Sequence, residues 1–210
     1  MRPFVFQRAG GQWPEGATLL HLYVQADLSR NPELAALVRD ARQALEGFPL
    51  SHVDDPWLHI TVDQITDQIA ADIPQDERDL LVRELSKRLR EVEPFDLMVG
   101  SVLSSRFGVI ADLHPDGPLV GLHDAVRDTV REVRGDEAVL YPWGVQHLTV
   151  SYAVQEADSD EAQRLLRRVR PGHAPLHVDT VHLVDVTADS QAKTITWQHL
   201  AEIPLGNPDA

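Results

Sequence analysis

The chain has no cysteine. That excludes disulfides, thiolate metal centres and a cysteine nucleophile together, and it fits a reducing cytoplasm. Long apolar runs are missing as well. No stretch approaches the length that spans a bilayer, so no membrane partner is expected. Residues 1–16 hold only Arg2 and Arg8 as cations and lack an apolar core of signal-peptide length, which predicts a cytoplasmic protein. Cations are scarce overall, 19 basic residues against 33 acidic ones, for a formal net charge of −14. Polyanion binding needs many cations set against phosphates, so long RNA or DNA is a poor match. A small phosphorylated molecule held by a few local donors remains compatible. The one basic run, Arg164 to Arg170, reads as the solvated face of a helix. The rest is the composition of an ordinary globular chain, 43% apolar and 25% charged.

What the sequence does contain is one short phrase written twice. Trp57-Leu58-His59-Ile60-Thr61-Val62 is echoed by Gln146-His147-Leu148-Thr149-Val150, each a His-x-Thr-apolar stretch among β-forming residues. Side chains alternate between the faces of a strand. His59 and Thr61 therefore share one face and Ile60 and Val62 the other. The same phase puts His147, Thr149 and Ser151 on one side, with Leu148, Val150 and Tyr152 on the opposite side. A single copy reads as a half-buried polar group on a sheet face. Chance placement gives about 0.4 such matches in a chain of this composition, so two copies with the same facing call for another reading. Two imidazole–hydroxyl pairs facing one cleft would supply an acid, a base and two hydroxyl donors for an anion.

The rest of the chain supports a repeat. Thr18 to Asp27 alternates as a half-buried strand, with His21, Tyr23 and Gln25 on one side. Asn31-Pro32 opens a helix, with Asn31 as its cap, whose stripe is Leu34, Leu37, Val38, Ala41 and Leu45; Gly47 ends it. A loop, Phe48 to Pro56, leads into the first motif. A second helix is predicted over Pro74–Arg90, then strands over Phe95–Leu103 and Phe107–His114, and a third helix from Asp116 to Gly135. After the second motif come a helix over Ser159–Arg170, strands over Leu176–Val186 and Lys193–Ile203, and a loose tail from Gly206 to Ala210. His147 lies 88 residues after His59 (147 minus 59), and the same offset carries Leu19 to Phe107 and Gly47 to Gly135. This predicts a duplicated α/β unit with a pseudo-two-fold axis, the two histidines facing each other across one cleft.

These residues resemble a known family, the two-histidine (2H) phosphoesterases, which include bacterial 2′-5′ RNA ligase-like proteins and RNA 2′,3′-cyclic phosphodiesterases. The resemblance rests on His59-Ile60-Thr61-Val62 and His147-Leu148-Thr149-Val150 and runs from Leu19 to about Ile203. It implies an α+β fold over residues 1–210, one domain of two pseudo-symmetric lobes. Two antiparallel β-sheets with outer helices would flank a central cleft carrying both motifs. It implies metal-independent opening of a 2′,3′-cyclic phosphate, or cleavage of a related phosphodiester of a nucleotide or RNA end, without a cofactor and as a monomer. His59 and His147 would be the acid–base pair and Thr61 and Thr149 the phosphate donors.

Other residues have weaker claims. Tyr23, with His21, shares the cleft face of its strand and would contact a base or ribose, and Arg106 would reach a phosphate. Trp57, Trp143 and Trp197 read as core or rim, Trp143 with a chance to line the groove. His173 and His177 have ligand-like spacing that Pro175 interrupts. Asp63 is expected on His59's face, which keeps open a metal-dependent hydrolase built on His59, His147 and Asp63. A non-catalytic nucleotide or RNA-end binding protein on the same fold is the principal alternative. No adenylylated-lysine motif or triphosphate loop supports ligation.

Overall fold

The computed structural model describes residues 1–8 and 11–207. Two short strands, β1 (Gln7–Arg8) and β2 (Gly11–Gln12), pair near the N-terminus. Next come β3 (Leu19–Gln25), α1 (Pro32–Ala44), β4 (Leu50–His52), β5 (His59–Gln64), α2 (Gln75–Leu89), β6 (Phe95–Ser104) and β7 (Gly108–His114). The second half holds α3 (Asp116–Arg134), β8 (His147–Ala153), α4 (Ser159–Leu166), β9 (Ala174–Val178), β10 (Thr180–Asp189) and β11 (Thr194–Pro204). The fold is α+β, as the sequence predicts.

The main sheet runs β11-β10-β3-β5-β8-β7-β6-β9, every neighbour antiparallel, with β4 also on β8. Among the described residues, its two halves pair where β5 touches β8, through the single registered pair Ile60 and Leu148. Those two residues are themselves 88 apart (148 minus 60), so the pair sits where the repeat maps onto itself. The expected two sheets are thus present as halves hinged at one point. Each half draws on both repeats. The strand closing the first repeat, β6, lies beside β7 of the second, whereas β10 lies beside β3 of the first. The helices cross over likewise, with α1 packed on β8 and β9 and α3 packed on β5. Apolar faces of the strands and helices meet in one core, with Leu22, Ile60, Leu148, Leu37 and Val126 each at most 1% exposed.

Three of the local departures have clear causes. The strand expected over Leu176–Val186 is broken at Asp179, because β9 pairs with β6 in one half and β10 with β3 in the other. Asn31 stands at the N-cap of α1 as expected, but its side chain makes no capping bond; its amide donates to the Asp27 carbonyl (2.8 Å) and fixes the approaching turn instead. Gly206, expected to open a loose tail, is held in place, its amide donating to the carbonyls of Leu89 and Val92; residues 208–210 lie outside the described residues. The loop before the first motif contains β4, which its short polar sequence does not announce.

Two pairing faults matter more. Between β3 and β5 the register passes from Tyr23–Thr61 to Leu22–Asp63 and skips Val62. Between β7 and β8 it passes from Ile110–Thr149 to Val109–Ser151 and skips Val150. These are β-bulges at equivalent positions of the repeat (150 minus 62 is again 88), and each shifts the facing of the residues after it. Beside the second bulge the chains come so close that only glycine fits. Gly108 has φ +154°, and a β-carbon there would collide with the Ser151 carbonyl.

Candidate active site

The histidines stand at the starts of β5 and β8, the two strands that meet at the centre of the sheet. Extending the Ile60–Leu148 register by one residue either way sets Thr149 beside His59 and His147 beside Thr61. All four side chains line one cavity of about 350 Å³ on the face opposite the helices.

Both imidazoles are oriented by the same device. Nδ1 of His59 donates to the carbonyl of Trp57 (2.8 Å), and Nδ1 of His147 donates to that of Val145 (2.9 Å). A carbonyl only accepts, so Nδ1 carries the hydrogen in each ring. Nε2 is then left for chemistry. The surroundings differ. His59 is 7% exposed, stacked on Tyr23 (centroids 4.0 Å apart) and edge-on to Trp197 (5.1 Å). That enclosure, with a smaller contribution from His147 and against the Trp57 hydrogen bond, lowers its pKa to about 4. His147 is only half-buried. Thr61 and Thr149 share the cavity lining with two buried tyrosines, Tyr23 and Tyr152.

The bulges redistribute the residues that come after each motif. Asp63, expected beside His59, turns to the helix side, 1% exposed, and forms a two-pronged ion pair with Arg127 of α3 (2.8 and 2.9 Å). Gln64 lines the cleft in its place. In β8, Tyr152 lines the cleft, and Ser151, expected there, is buried with its hydroxyl on His52 (2.7 Å). The carboxylate that the metal-dependent reading needed is therefore bonded to Arg127 behind the sheet.

Several residues that sequence reasoning passed over hold the two motifs together. Arg127 also donates to the Tyr141 carbonyl (2.7 Å), clamping the loop that leads into His147 onto the strand that carries His59. Gln146, with its amide oriented to suit its neighbours, donates to the Thr61 carbonyl (2.6 Å) and accepts from Trp143 Nε1. His123 donates from Nδ1 to the carbonyl of the bulge residue Val62 (2.9 Å) and stacks on Trp143 (4.1 Å). Trp143 thus faces His123 and is not among the described residues lining the cleft. The N-terminal segment contributes Phe4, Phe6 and Gln7 to the lining, and Trp13 joins them.

The remaining candidates are sorted by the same geometry. Tyr23 lies in the floor, 1% exposed, its hydroxyl 2.6 Å from Nδ1 of His21. His21 is itself buried, which lowers its pKa to about 3, with His59 adding to the effect. Arg106 is outside the main cleft. It lines an adjoining cavity of about 260 Å³ that shares His147 and Thr149, and its guanidinium lies 5.1 Å over the Phe107 ring. Trp57 and Trp197 pack edge to face (4.9 Å) as the outer wall behind His59. His173 and His177 serve different neighbours, Ser101 and Asp96. Arg164, Arg167, Arg168 and Arg170 are all exposed, but α4 ends at Leu166 and not at Arg170 as expected, so of the four only Arg164 lies within the helix.

The sequence matches the 2′-5′ RNA ligase superfamily over residues 31–190. Among solved structures, TT0787 of Thermus thermophilus is similar at 17% identity and a TM-score of 0.69, covering 90% of this chain and 99% of its own. E. coli LigT complexed with 3′-AMP is similar at 14% identity and 0.65, covering 91% and 99%. A conserved protein of unknown function from Agrobacterium tumefaciens is similar at 17% and 0.52, covering 96% and 93%. At these identities the likeness is one of fold. No curated protein matches the sequence.

Proposed function

The chain belongs to the 2′-5′ RNA ligase superfamily, and from that premise we propose that it is a phosphodiesterase opening 2′,3′-cyclic phosphates, or cleaving a related diester, of a nucleotide or RNA end. The observation that carries the reading is the matched pair of imidazoles, each with Nδ1 held by the carbonyl two residues earlier and Nε2 free, lining one cavity with two threonines. The complexes of LigT with 3′-AMP, NADP+ and ATP support a small nucleotide as the ligand class.

In this mechanism His59 is the base. Its low pKa keeps Nε2 unprotonated near neutrality, ready to take a proton from water. The water oxygen bonds to phosphorus as the P–O bond on the far side breaks, and His147, protonated, gives its proton to the departing ribose oxygen. One water is consumed and a phosphomonoester with a free hydroxyl is formed. Thr61 and Thr149 donate to the non-bridging oxygens and hold phosphorus between the rings. The chain would work as a monomer and as one unit, since each half of the sheet contributes one His-Thr pair. The residues assigned to the steps are imidazoles and hydroxyls, and Asp63 is engaged by Arg127, so no step calls for a metal.

The test is turnover of a panel of nucleoside 2′,3′-cyclic phosphates in the presence of EDTA. Unchanged rates are expected; loss of activity that added divalent metal restores would contradict the reading. The alternative of a binding protein on the same fold would show as nucleotide affinity without turnover.

A further inference from the structure

The cleft has an unusual charge make-up for a site that handles phosphate. Among its described lining residues there is no Arg, Lys, Asp or Glu. The polar groups are imidazole, hydroxyl, phenol and amide, and much of the wall is aromatic, supplied by Phe4, Phe6, Trp13, Tyr23 and Tyr152. Two of its three histidines, His21 and His59, are held neutral by burial. During reaction the site therefore offers one full positive charge, the proton on the histidine acting as acid.

We propose that this cleft selects a phosphodiester carrying one negative charge and a neutral nucleoside, and discriminates against substrates with a second phosphate close to the reacting one. The proposal rests on the phosphodiesterase reading above. A 2′,3′-cyclic phosphate is a monoanion, which the single imidazolium balances. A 5′-phosphate or a continuing nucleotide chain adds charge that no described lining residue can pair. Leaving charge unpaired in a partly desolvated site is costly, and the net −14 of the chain adds to the repulsion. Arg106 does not supply the missing partner within the cleft. It is exposed in the adjoining cavity and lies on Phe107. Gln7 and Gln64, by contrast, put neutral amides on the lining, suited to the edge of a base. The same charge balance bears on the product. Ring opening converts a monoanion into a phosphomonoester dianion, which the cleft holds less well than the substrate.

The experiment compares kcat/KM for adenosine 2′,3′-cyclic phosphate and for the same compound bearing a 5′-phosphate, at low and high salt. The 5′-phosphorylated compound should be poorer by about tenfold or more, a difference of about 1.4 kcal/mol. Salt should narrow the gap, and Gln7→Lys should narrow it further. Equal or better turnover of the 5′-phosphorylated compound would overturn the proposal. So would a selective loss of that activity in Arg106→Ala, which would show that Arg106 reaches the second phosphate. Equilibrium binding of adenosine 3′-monophosphate and adenosine 3′,5′-bisphosphate is measured alongside. Absence of turnover with both cyclic compounds would refute the phosphodiesterase reading, whereas equal affinity for the two binding probes would refute charge selection.

Discussion

His59→Ala and His147→Ala should each lower kcat on a 2′,3′-cyclic nucleotide by a factor on the order of 10³, within the range that positioned proton transfer contributes. KM should move far less, because the threonine hydroxyls and aromatic walls that hold the substrate remain. The double variant should be little worse than either single one, since base and acid act on one displacement and losing either removes the concerted path. Steady-state kinetics of the three variants, with circular dichroism to verify the fold, checks this. Retention of more than about a tenth of wild-type kcat in either single variant would be incompatible with the assigned roles. Substitution of His59 also removes a ring packed between Tyr23 and Trp197, so His59→Gln is the companion that keeps volume and loses the base.

Arg127→Ala should destabilise the protein by roughly 3–5 kcal/mol, the usual consequence of taking one partner from a buried ion pair. The reason is specific. Asp63 is 1% exposed, and its two oxygens are the acceptors for Arg127 behind the sheet. Removing the guanidinium strands the carboxylate and also frees the Tyr141 carbonyl, loosening the loop into His147. Asp63→Asn combined with Arg127→Ala should be less damaging than the sum of the two single changes, because no charge is then left unpaired. Urea unfolding of the four proteins measures the cycle. A loss below about 1 kcal/mol for Arg127→Ala, or strict additivity, would mean that the pair does not bind the halves of the site together.

The repeat and its chemistry were legible because they are local. His59 and Thr61, and His147 and Thr149, are two apart in strands whose apolar faces are plain, and the 88-residue offset aligns the elements around them. The same period-two reasoning fails one residue later in both strands. A bulge at Val62 and another at Val150 reverse the phase, moving Asp63 and Ser151 out of the cleft face and bringing Gln64 and Tyr152 in. Nothing in Val62 or Val150 marks a bulge. It arises from how β3 and β7 pair with these strands, and the only local hint is Gly108, where two backbones need room. Long-range partnerships were equally hidden. Trp197 encloses His59 from β11, Arg127 and His123 reach the first motif from α3, and Phe4, Phe6 and Trp13 come from a segment that precedes the first half of the repeat. The exchange of β6 and β10 between halves, and the break at Asp179, result from sheet topology rather than from any stretch of sequence.

Catalysis by the two histidines is tested most directly by the dependence of kcat/KM on pH, measured from about pH 4 to 9 for wild type and both single-histidine variants on one cyclic nucleotide. Free His59 has its pKa lowered to about 4, so the base is lost only as pH falls toward that value; the acid is lost as pH rises and its proton leaves. Stability has its own dependence, with the sign fixed by the same shifts. His21 and His59 resist protonation in the fold but accept it near 6.5 when unfolded, so stability is full above 6.5 and declines as pH falls toward 4 and 3. Short assays begun from a neutral stock keep the two effects apart. Two opposing histidines predict a bell for wild type, with the acidic limb absent from the residual activity of His59→Ala and the alkaline limb absent from that of His147→Ala. A flat wild-type profile, or the same bell surviving in either variant, would contradict catalysis by this pair.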